Sequence, residues 1–301
     1  MTRVVVGAVA VLLMAGASGC ANPGSANGSG VVRVVAGENF WGDIATQLGG
    51  ARANVESVVT DPNADPHEYE SSTNDARAFA TASLVILNGA GYDDWGQKLL
   101  QASPNEGRKL LDVADLLGKK SGDNPHFWYD PDYVIKVADR ITAEYKSIDP
   151  ADSSYFDQQR SAFATSLQPY THRLAEIKRK FAGVPVGATE TIFEYLARYL
   201  GLDLISPAEF MKAVAEGNDP PAETVVAFQD QIAHKAIKVL VYNVQTATAV
   251  TTNLRIAATQ RSIPVVGVSE TLQPVTASFQ EWQDSQLIAL ENALNSEALV
   301  Q

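Results

Sequence analysis

Short apolar runs alternate with longer amphipathic stretches along most of the chain, and this alternation constrains the fold more than any other feature of the sequence. Eight runs have the length of β-strands; examples are VVRVVA at 31–36, SLVILN at 83–88 and IPVVGVSE at 263–270. The stretches between them repeat apolar residues three and four positions apart, as amphipathic helices do. Strands that alternate with helices predict βαβ units, so we expect an α/β fold with mainly parallel sheets.

Residues 150–182 break this alternation, because they contain no strand-like run. Their apolar side chains recur at helical spacing, namely Tyr155, Phe156, Phe163, Leu167, Tyr170, Leu174 and Ile177. The segment predicts one long amphipathic helix, which Pro169 would kink or split. The chain would then have an N-terminal α/β lobe at 31–149, a linking helix at 150–182 and a C-terminal α/β lobe at 183–301. Its length allows each lobe its own core.

The first residues carry signals for export and anchoring. Arg3 precedes an apolar run at 4–14 that is too short to span a bilayer and is typical of a secretory signal peptide. Small residues then lead to Cys20, the only cysteine, so no disulfide can form within the chain. The pattern resembles a bacterial lipoprotein signal, in which residues 1–19 are removed and the Cys20 thiol is lipidated, although Ala17 stands where an aliphatic residue is usual.

Residues 20–30 are small and polar, which predicts a flexible tether between the anchor and the folded lobes. We therefore expect a protein that is lipid-anchored on the extracytoplasmic face of the bacterial cell membrane. The chain is also acidic, with 35 Asp and Glu against 23 Lys and Arg and a formal net charge of −12. This charge argues against nucleic acid and anionic membrane surfaces as partners, and it is compatible with attracting cations.

Two of the four histidines stand on stiff corners directly after proline, at Asp65-Pro66-His67 and Asn124-Pro125-His126. Proline restricts its own backbone and that of the preceding residue, so each corner aims its imidazole in a fixed direction. Both corners follow strand-like runs. Ligands of open α/β sheets bind beyond the carboxyl ends of the strands, so His67 and His126 lie where a site is expected.

Two loops of the second lobe offer carboxylates at the equivalent places. Glu190 and Glu270 each follow a strand-like run at the start of a helical pattern. Either one alone could serve only as a favourable charge at a helix N-terminus. Together with the two histidines they could hold a cation on two imidazoles and two carboxylates. Asn243, after another strand-like run, could hold a ligand by a hydrogen bond or be a cap or turn residue.

At these residues the sequence resembles a known family, the metal-binding solute receptors of bacterial ABC importers that deliver zinc or manganese. The motifs occur in the family's order: NFWGDIATQLGG, DPHEYE, SLVILNGAGYDDW, NPHFWYDP, TETIFEYLARYLGL and VVGVSETLQP. The resemblance implies two lobes rigidly joined by the long helix, with the metal in the cleft between them. By position, His67, His126, Glu190 and Glu270 match the family's four ligands. The implied partner is a membrane permease, the implied role is binding rather than catalysis, and we expect a monomer.

The chain departs from the family's pattern in ways that bear on the metal. Many zinc-type members have His at the position of Glu190, and many members have Asp at the position of Glu270. Zinc-type members often carry a long histidine-rich loop in the first lobe, whereas GKKSGDN is short here. A carboxylate in place of an imidazole favours manganese by ligand type, but the affinity order of divalent ions favours zinc. Manganese and zinc both remain open.

Two other functions are compatible with the residues. A receptor for a small organic solute would use the same His and Glu side chains as hydrogen-bonding groups. A metal-dependent hydrolase is less favoured, because catalytic zinc usually keeps an open position for water and four protein ligands would fill it. The remaining histidines, His172 and His234, stand among charged residues and are expected at the surface. The aromatic residues at 127–129 are expected in the core.

Overall fold

The computed structural model describes residues 1–2 and 30–298. Residues 3–29, which include Cys20 and almost all of the predicted leader and tether, lie outside the described part, as do residues 299–301. Eight strands are present: β1 Val32–Glu38, β2 Ala53–Val59, β3 Leu84–Leu87, β4 Lys109–Asp112, β5 Pro185–Ala188, β6 Asp203–Leu204, β7 Leu240–Asn243 and β8 Val265–Val268. Each predicted apolar run overlaps one of them.

Twelve α-helices connect and cover the strands in the described residues. They are α1 Asn39–Gly49, α2 Thr73–Thr81, α3 Asp94–Ala102, α4 Val113–Leu117, α5 Pro131–Ile148, α6 Ser153–Ser166, α7 Gln168–Phe181, α8 Glu194–Leu200, α9 Ala208–Ala215, α10 Ala222–Ala233, α11 Ala249–Gln260 and α12 Phe279–Ala298. Within the part of the chain that the structure describes, no helix is both long enough and apolar enough to cross a bilayer.

The strands form two four-stranded sheets with the same topology. The first has the order β2-β1-β3-β4 and the second the order β6-β5-β7-β8, and all pairs are parallel. The α/β fold with mainly parallel sheets is therefore confirmed. In each sheet the strand order reverses beside the first strand, and such a switch point leaves a crevice at the carboxyl ends of the strands. The crevices of the first and second sheets are the places where side chains from the two lobes can meet.

The helical segment predicted between the lobes is present in two successive pieces. Helix α6 packs on α1 and α5 of the first lobe, and α7 packs on α8 and α12 of the second. The two are separated only at Leu167. Pro169 lies in the first turn of α7, where its missing N–H leaves no helical hydrogen bond unmade. The proline thus splits the predicted helix, and the chain still crosses from one lobe to the other as helix.

One apolar core runs through both lobes. It includes Phe40 and Trp128 of the first lobe and Val186, Leu272 and Trp282 of the second, all of them buried. The predicted stripe of the central segment contributes Phe156, Phe163, Leu167, Tyr170, Leu174 and Ile177 to this core. Smaller clusters fill the outer side of each sheet. Because the main core is shared, the strand ends of the two sheets are held in a fixed relation across the cleft.

Candidate metal centre

The two Pro-His corners have the same local construction. In the first, the Asp65 carboxylate accepts a 2.9 Å hydrogen bond from the backbone N–H of His67, at the start of a short 3-10 turn. In the second, Asn124 Oδ1 accepts a 3.0 Å bond from the backbone N–H of His126. These side-chain turns are the ones that Asp and Asn favour, and the following proline stiffens them. Each imidazole is thereby carried on a rigid loop beyond the first sheet.

Asn124 also determines which nitrogen of His126 faces the centre. Its Oδ1 lies 2.7 Å from His126 Nδ1, while its Nδ2 donates to the Thr191 carbonyl and to Glu194. Since Oδ1 can only accept, the proton of a neutral imidazole sits on Nδ1. Nε2 of His126 is then left with a free lone pair, which is the form that a metal ion requires.

The two glutamates come from the second sheet and are joined by Asn243. Glu190 follows β5, Glu270 follows β8, and Asn243 ends β7. Asn243 Nδ2 donates to Glu190 Oε2 at 2.6 Å and to Glu270 Oε1 at 2.8 Å. One amide thus holds a carboxylate oxygen of each residue and leaves the other oxygen of each directed at the histidines. Asn243 fulfils two of the roles expected for it, because its amino group bonds the predicted ligand residues while its Oδ1 accepts the backbone N–H of Gln245 in a turn.

The four predicted side chains meet in one small volume. His67 Nε2 lies 3.3 Å from Glu270 Oε2, and His126 Nε2 lies 3.3 Å from Glu190 Oε1 and 3.8 Å from Glu270 Oε2. One donor atom from each of His67, His126 and Glu270 lies within 4.8 Å of the other two. Glu190 joins this triad through its contact with His126. An ion placed among these atoms would touch both lobes at once.

Neither histidine satisfies its Nε2 atom with a hydrogen bond. Both atoms are buried and lack a hydrogen-bond partner among the described residues, although carboxylate oxygens lie nearby. Buried polar atoms are nearly always paired, so two orphaned nitrogens at one point indicate a missing partner. A divalent ion fits this donor set, because imidazole nitrogens and carboxylate oxygens are ligands for first-row metals.

Three of the four side chains are completely shielded from solvent. His126, Glu190 and Glu270 are 0% exposed, whereas the His67 side chain is 21% exposed. A cleft of about 670 Å³ opens beside His67. Acidic side chains outnumber basic ones in its lining, which includes Asp65, Glu68, Asp123, Glu194 and Glu216 beside Lys212 and His67 itself. The approach to the centre is therefore on the side of His67.

The ionisable groups of the centre shift one another's pKa values. Burial disfavours protonation of His67, but the charges of Glu270 and Glu190 outweigh it and raise the pKa of His67 to about 9. Burial also opposes ionisation of Glu270, yet His67 and His126 reverse the effect and hold the pKa of Glu270 well below its usual value. For Glu190 burial prevails and raises the pKa. In the ion-free centre, the protonated imidazole of His67 therefore supplies the positive charge that faces ionised Glu270, at 3.3 Å and without hydrogen-bond geometry.

Two further side chains serve the centre that sequence reasoning did not single out. Tyr92 donates its hydroxyl to Glu270 Oε2 at 2.6 Å, and burial together with the Glu270 charge raises the pKa of Tyr92 well above its usual value. Gln245 accepts hydrogen bonds from the backbone of Glu270 and of Thr271. Tyr92 follows β3, at the same sheet edge as the histidine loops, so the strand-end rule could have found it.

The other predicted surface and core residues lie where expected. His172 and His234 are exposed and belong to no part of the centre. Phe127, Trp128 and Tyr129 are completely buried in the shared core. Trp128 also makes an edge contact with the His126 ring, with the ring centroids 5.3 Å apart. The aromatic residues therefore support the His126 corner from behind as part of the core.

Two parallel α/β lobes that enclose imidazole and carboxylate donors between their strand ends define a two-lobed binding protein of the α/β class. Comparison with known proteins is more specific. The family model for ZnuA, described as zinc-uptake complex component A, periplasmic, matches residues 34–293. The chain belongs to this family.

Curated relatives agree with this assignment. The metal ABC transporter substrate-binding lipoprotein ScbA of Streptococcus cristatus is 26% identical over 208 residues, which are 62% of this chain and 66% of the relative. The manganese ABC transporter substrate-binding lipoprotein PsaA of Streptococcus mitis is 27% identical over 214 residues, 64% of this chain and 66% of the relative. The match thus spans about two thirds of the length of these relatives.

Solved structures share the fold. The periplasmic zinc binding protein TroA from Treponema pallidum superposes with a TM-score of 0.71 at 15% sequence identity. The superposition covers 87% of this chain and 98% of that protein. At this identity the likeness concerns the arrangement of the two lobes.

Proposed function

We propose that this protein is the extracytoplasmic solute-binding component of an ABC importer. It captures one divalent transition metal ion, manganese or zinc, on His67, His126, Glu190 and Glu270, and it delivers the ion to a membrane permease. The observation that carries the proposal is the pair of buried Nε2 atoms without hydrogen bonds, which face two carboxylates from the opposite lobe. The names of the relatives support transport, since they describe ABC transporter substrate-binding lipoproteins.

The donor set supports binding rather than catalysis. Four protein ligands on one zinc ion would complete a tetrahedral shell, whereas catalytic zinc keeps a position open for water. Two ionised glutamates and two neutral imidazoles also balance the charge of a divalent ion. The ion is the transported substrate, so the chemistry required of the residues is capture and release.

The choice between the two metals rests on opposing considerations. The family model is named for zinc uptake, and the PsaA relatives are named for manganese. Two carboxylates make this donor set harder than one with three imidazoles, which favours manganese, while the affinity order of divalent ions favours zinc. We therefore propose manganese or zinc as the substrate.

The proposal includes the location and state of the protein. The relatives' description as lipoproteins supports export and lipid attachment at Cys20, which lies outside the described residues. A monomer anchored in this way would remain at the extracytoplasmic surface of the membrane, beside the permease.

An uptake assay tests the proposed function. Cells that lack this chain should accumulate less manganese or zinc from trace concentrations than cells that contain it. The parent chain should restore uptake of that ion, and a variant with His126→Ala should not, although it reaches the membrane in equal amount. Equal uptake of both ions with and without the chain would contradict the proposal.

A further inference from the structure

One buried amide connects the loops of both lobes around the centre. Gln245 lies two residues beyond Asn243, at the end of β7, and is 9% exposed. Its side chain is not among the four proposed ligands. It nevertheless makes hydrogen bonds to the loop of one ligand in each lobe. Its side chain therefore links the two lobes beside the centre.

Toward the second lobe, Gln245 fixes the turn that carries Glu270. Its Oε1 accepts from the backbone N–H of Glu270 at 2.7 Å and from that of Thr271 at 3.1 Å. Its own backbone N–H donates to Asn243 Oδ1 at 3.1 Å. This last bond directs the Asn243 amino group toward Glu190 and Glu270. The backbone at position 245 therefore orients the amide that holds both carboxylates, and the Gln245 side chain fixes the turn of Glu270.

Toward the first lobe, Gln245 holds the segment that leads to His67. Its Nε2 donates to the Ala64 carbonyl at 2.7 Å. Two neighbours add parallel bonds: Gln273 Nε2 donates to the Pro62 carbonyl at 2.7 Å, and the Thr271 hydroxyl lies 3.5 Å from the Asp61 carbonyl. We call residues 61–64 the strap. Three side chains of the second lobe thus contact three of the four backbone carbonyls of the strap.

The strap lies on the side where the centre is open. Of the four proposed ligands only His67 reaches solvent, and it lies three residues after the end of the strap. An ion that leaves must therefore pass His67. Backbone carbonyls released from the strap can be solvated by water, so the strap can detach without unfolding either lobe.

We propose that Gln245 is a positioning residue that ties the strap to the Glu270 turn, and that detachment of the strap limits the rate at which the metal ion is released. The proposal rests on the proposed function. Because Gln245 acts on the loops of two ligands at once, its loss weakens retention of the ion without removing a ligand.

The test measures release rates from the purified full-length chain. The parent and its variants are loaded with Zn²⁺ or Mn²⁺ and mixed with excess chelator, and the rate constants for release and association are determined. Gln245→Met keeps the size of the side chain and removes all its polar contacts. Changes that misdirect metal ligands typically cost about 10- to 100-fold in affinity. We expect the release rate to rise by about this factor, with the association rate nearly unchanged.

Two further variants separate the strap from general packing. Gln273→Met removes one strap bond and leaves the contacts of Glu270 intact, so it should also accelerate release, by a smaller factor. Gln231→Met is the control, because Gln231 donates to the Ile205 carbonyl within the second lobe at 2.6 Å. It should release the ion at the parental rate.

The release rates of these variants decide whether the proposal holds. Parental release rates in both Gln245→Met and Gln273→Met would overturn the proposal, as would slower association with unchanged release. If Gln245→Met does not fold, Gln273→Met decides alone by the same criterion. A parent that binds neither ion would instead contradict the proposed function itself, and the inference would fall with it.

Discussion

At the scale of single residues, Asp65 and Asn124 fix the backbone of the two histidine corners. Each accepts the backbone N–H of the histidine two positions later, across an intervening proline. Asn124 additionally accepts from the imidazole of His126 and so leaves Nε2 free for an ion. A proline-stiffened turn limits the freedom of the side chain before any ion arrives, which lowers the entropic cost of binding.

The protonation of His67 leads to a prediction for pH. Its pKa in the ion-free centre is raised to about 9, so His67 is protonated at pH 7. A metal ligand must be deprotonated, and ion binding at pH 7 should therefore release about one proton from this residue. Calorimetric titrations in buffers with different ionisation enthalpies measure this number.

The sign of the pH dependence follows from the same exchange. Protons compete with the ion below the pKa, so affinity should rise by about tenfold per pH unit from pH 7 and level off near pH 9. Binding of Zn²⁺ or Mn²⁺ that is independent of pH over this range, without proton release, would contradict the arrangement of charges at His67.

At the scale of secondary-structure elements, two buried acids lie at the ends of β1 and β3. Asp93 accepts hydrogen bonds from the backbone N–H groups of Asn88 and Gly89 at 2.6 and 2.8 Å. Glu38 ends β1, and burial together with the charge of Asp93 raises its pKa well above the usual value. Neither oxygen of the Glu38 carboxyl has a hydrogen-bond partner among the described residues, so nothing there stabilises its ionised form. This pair supports the loop that carries Tyr92, and through Tyr92 it supports Glu270.

Glu38→Gln should stabilise the protein at neutral and alkaline pH. A carboxyl with a raised pKa in the folded state costs stability as pH rises above its unfolded value, whereas an amide stays uncharged beside Asp93 at any pH. We expect a gain in the free energy of unfolding of roughly 1 kcal/mol at pH 8, and a smaller gain at pH 5. Thermal unfolding at both pH values measures it.

Glu56→Gln is the matched control for this prediction, because Glu56 lies in the neighbouring strand β2 and is exposed. It should leave the melting temperature unchanged. A loss of stability in Glu38→Gln at pH 8 would show that the ionised carboxylate is the form that the fold uses.

The sequence predicted the elements better than the contacts between them. All eight strands were found because each is a short apolar run bounded by polar residues, and the histidine and glutamate loops were found because they follow strands. The contact of Tyr92 with Glu270 joins residues 178 positions apart, and periodicity carries no information about such pairs. The tether of Gln245 to Ala64, 181 positions apart, was missed for the same reason.

At the scale of the whole molecule, the lobes share one core and a common set of cross-links. Tyr129 of the first lobe donates to the Ser269 carbonyl of the second at 2.8 Å, and Tyr195 of the second lobe donates to the Asn124 carbonyl at 2.9 Å. These bonds flank the centre on both sides. The arrangement favours small movements of loops over a wide hinge opening, as we expect for lobes joined by a helical segment.

The shared core predicts that both lobes unfold together. Separate cores would permit two transitions, whereas removing one lobe here would expose the buried residues of the other. Differential scanning calorimetry of the ion-free protein should therefore show one main transition. Added ion should move this transition to higher temperature, because it binds only the folded state. Two well-separated transitions would contradict a common core.

The metal content of the purified protein tests the central claim most directly. Elemental analysis should find about one manganese or zinc ion per parent chain, since the four donors complete a single shell. The Glu190→Ala and His126→Ala variants should lose this ion and keep their fold, and His172→Ala, which alters an exposed histidine, should retain it. A parent chain that holds neither metal after dialysis against each ion, or variants that retain the parental content, would contradict the proposed centre.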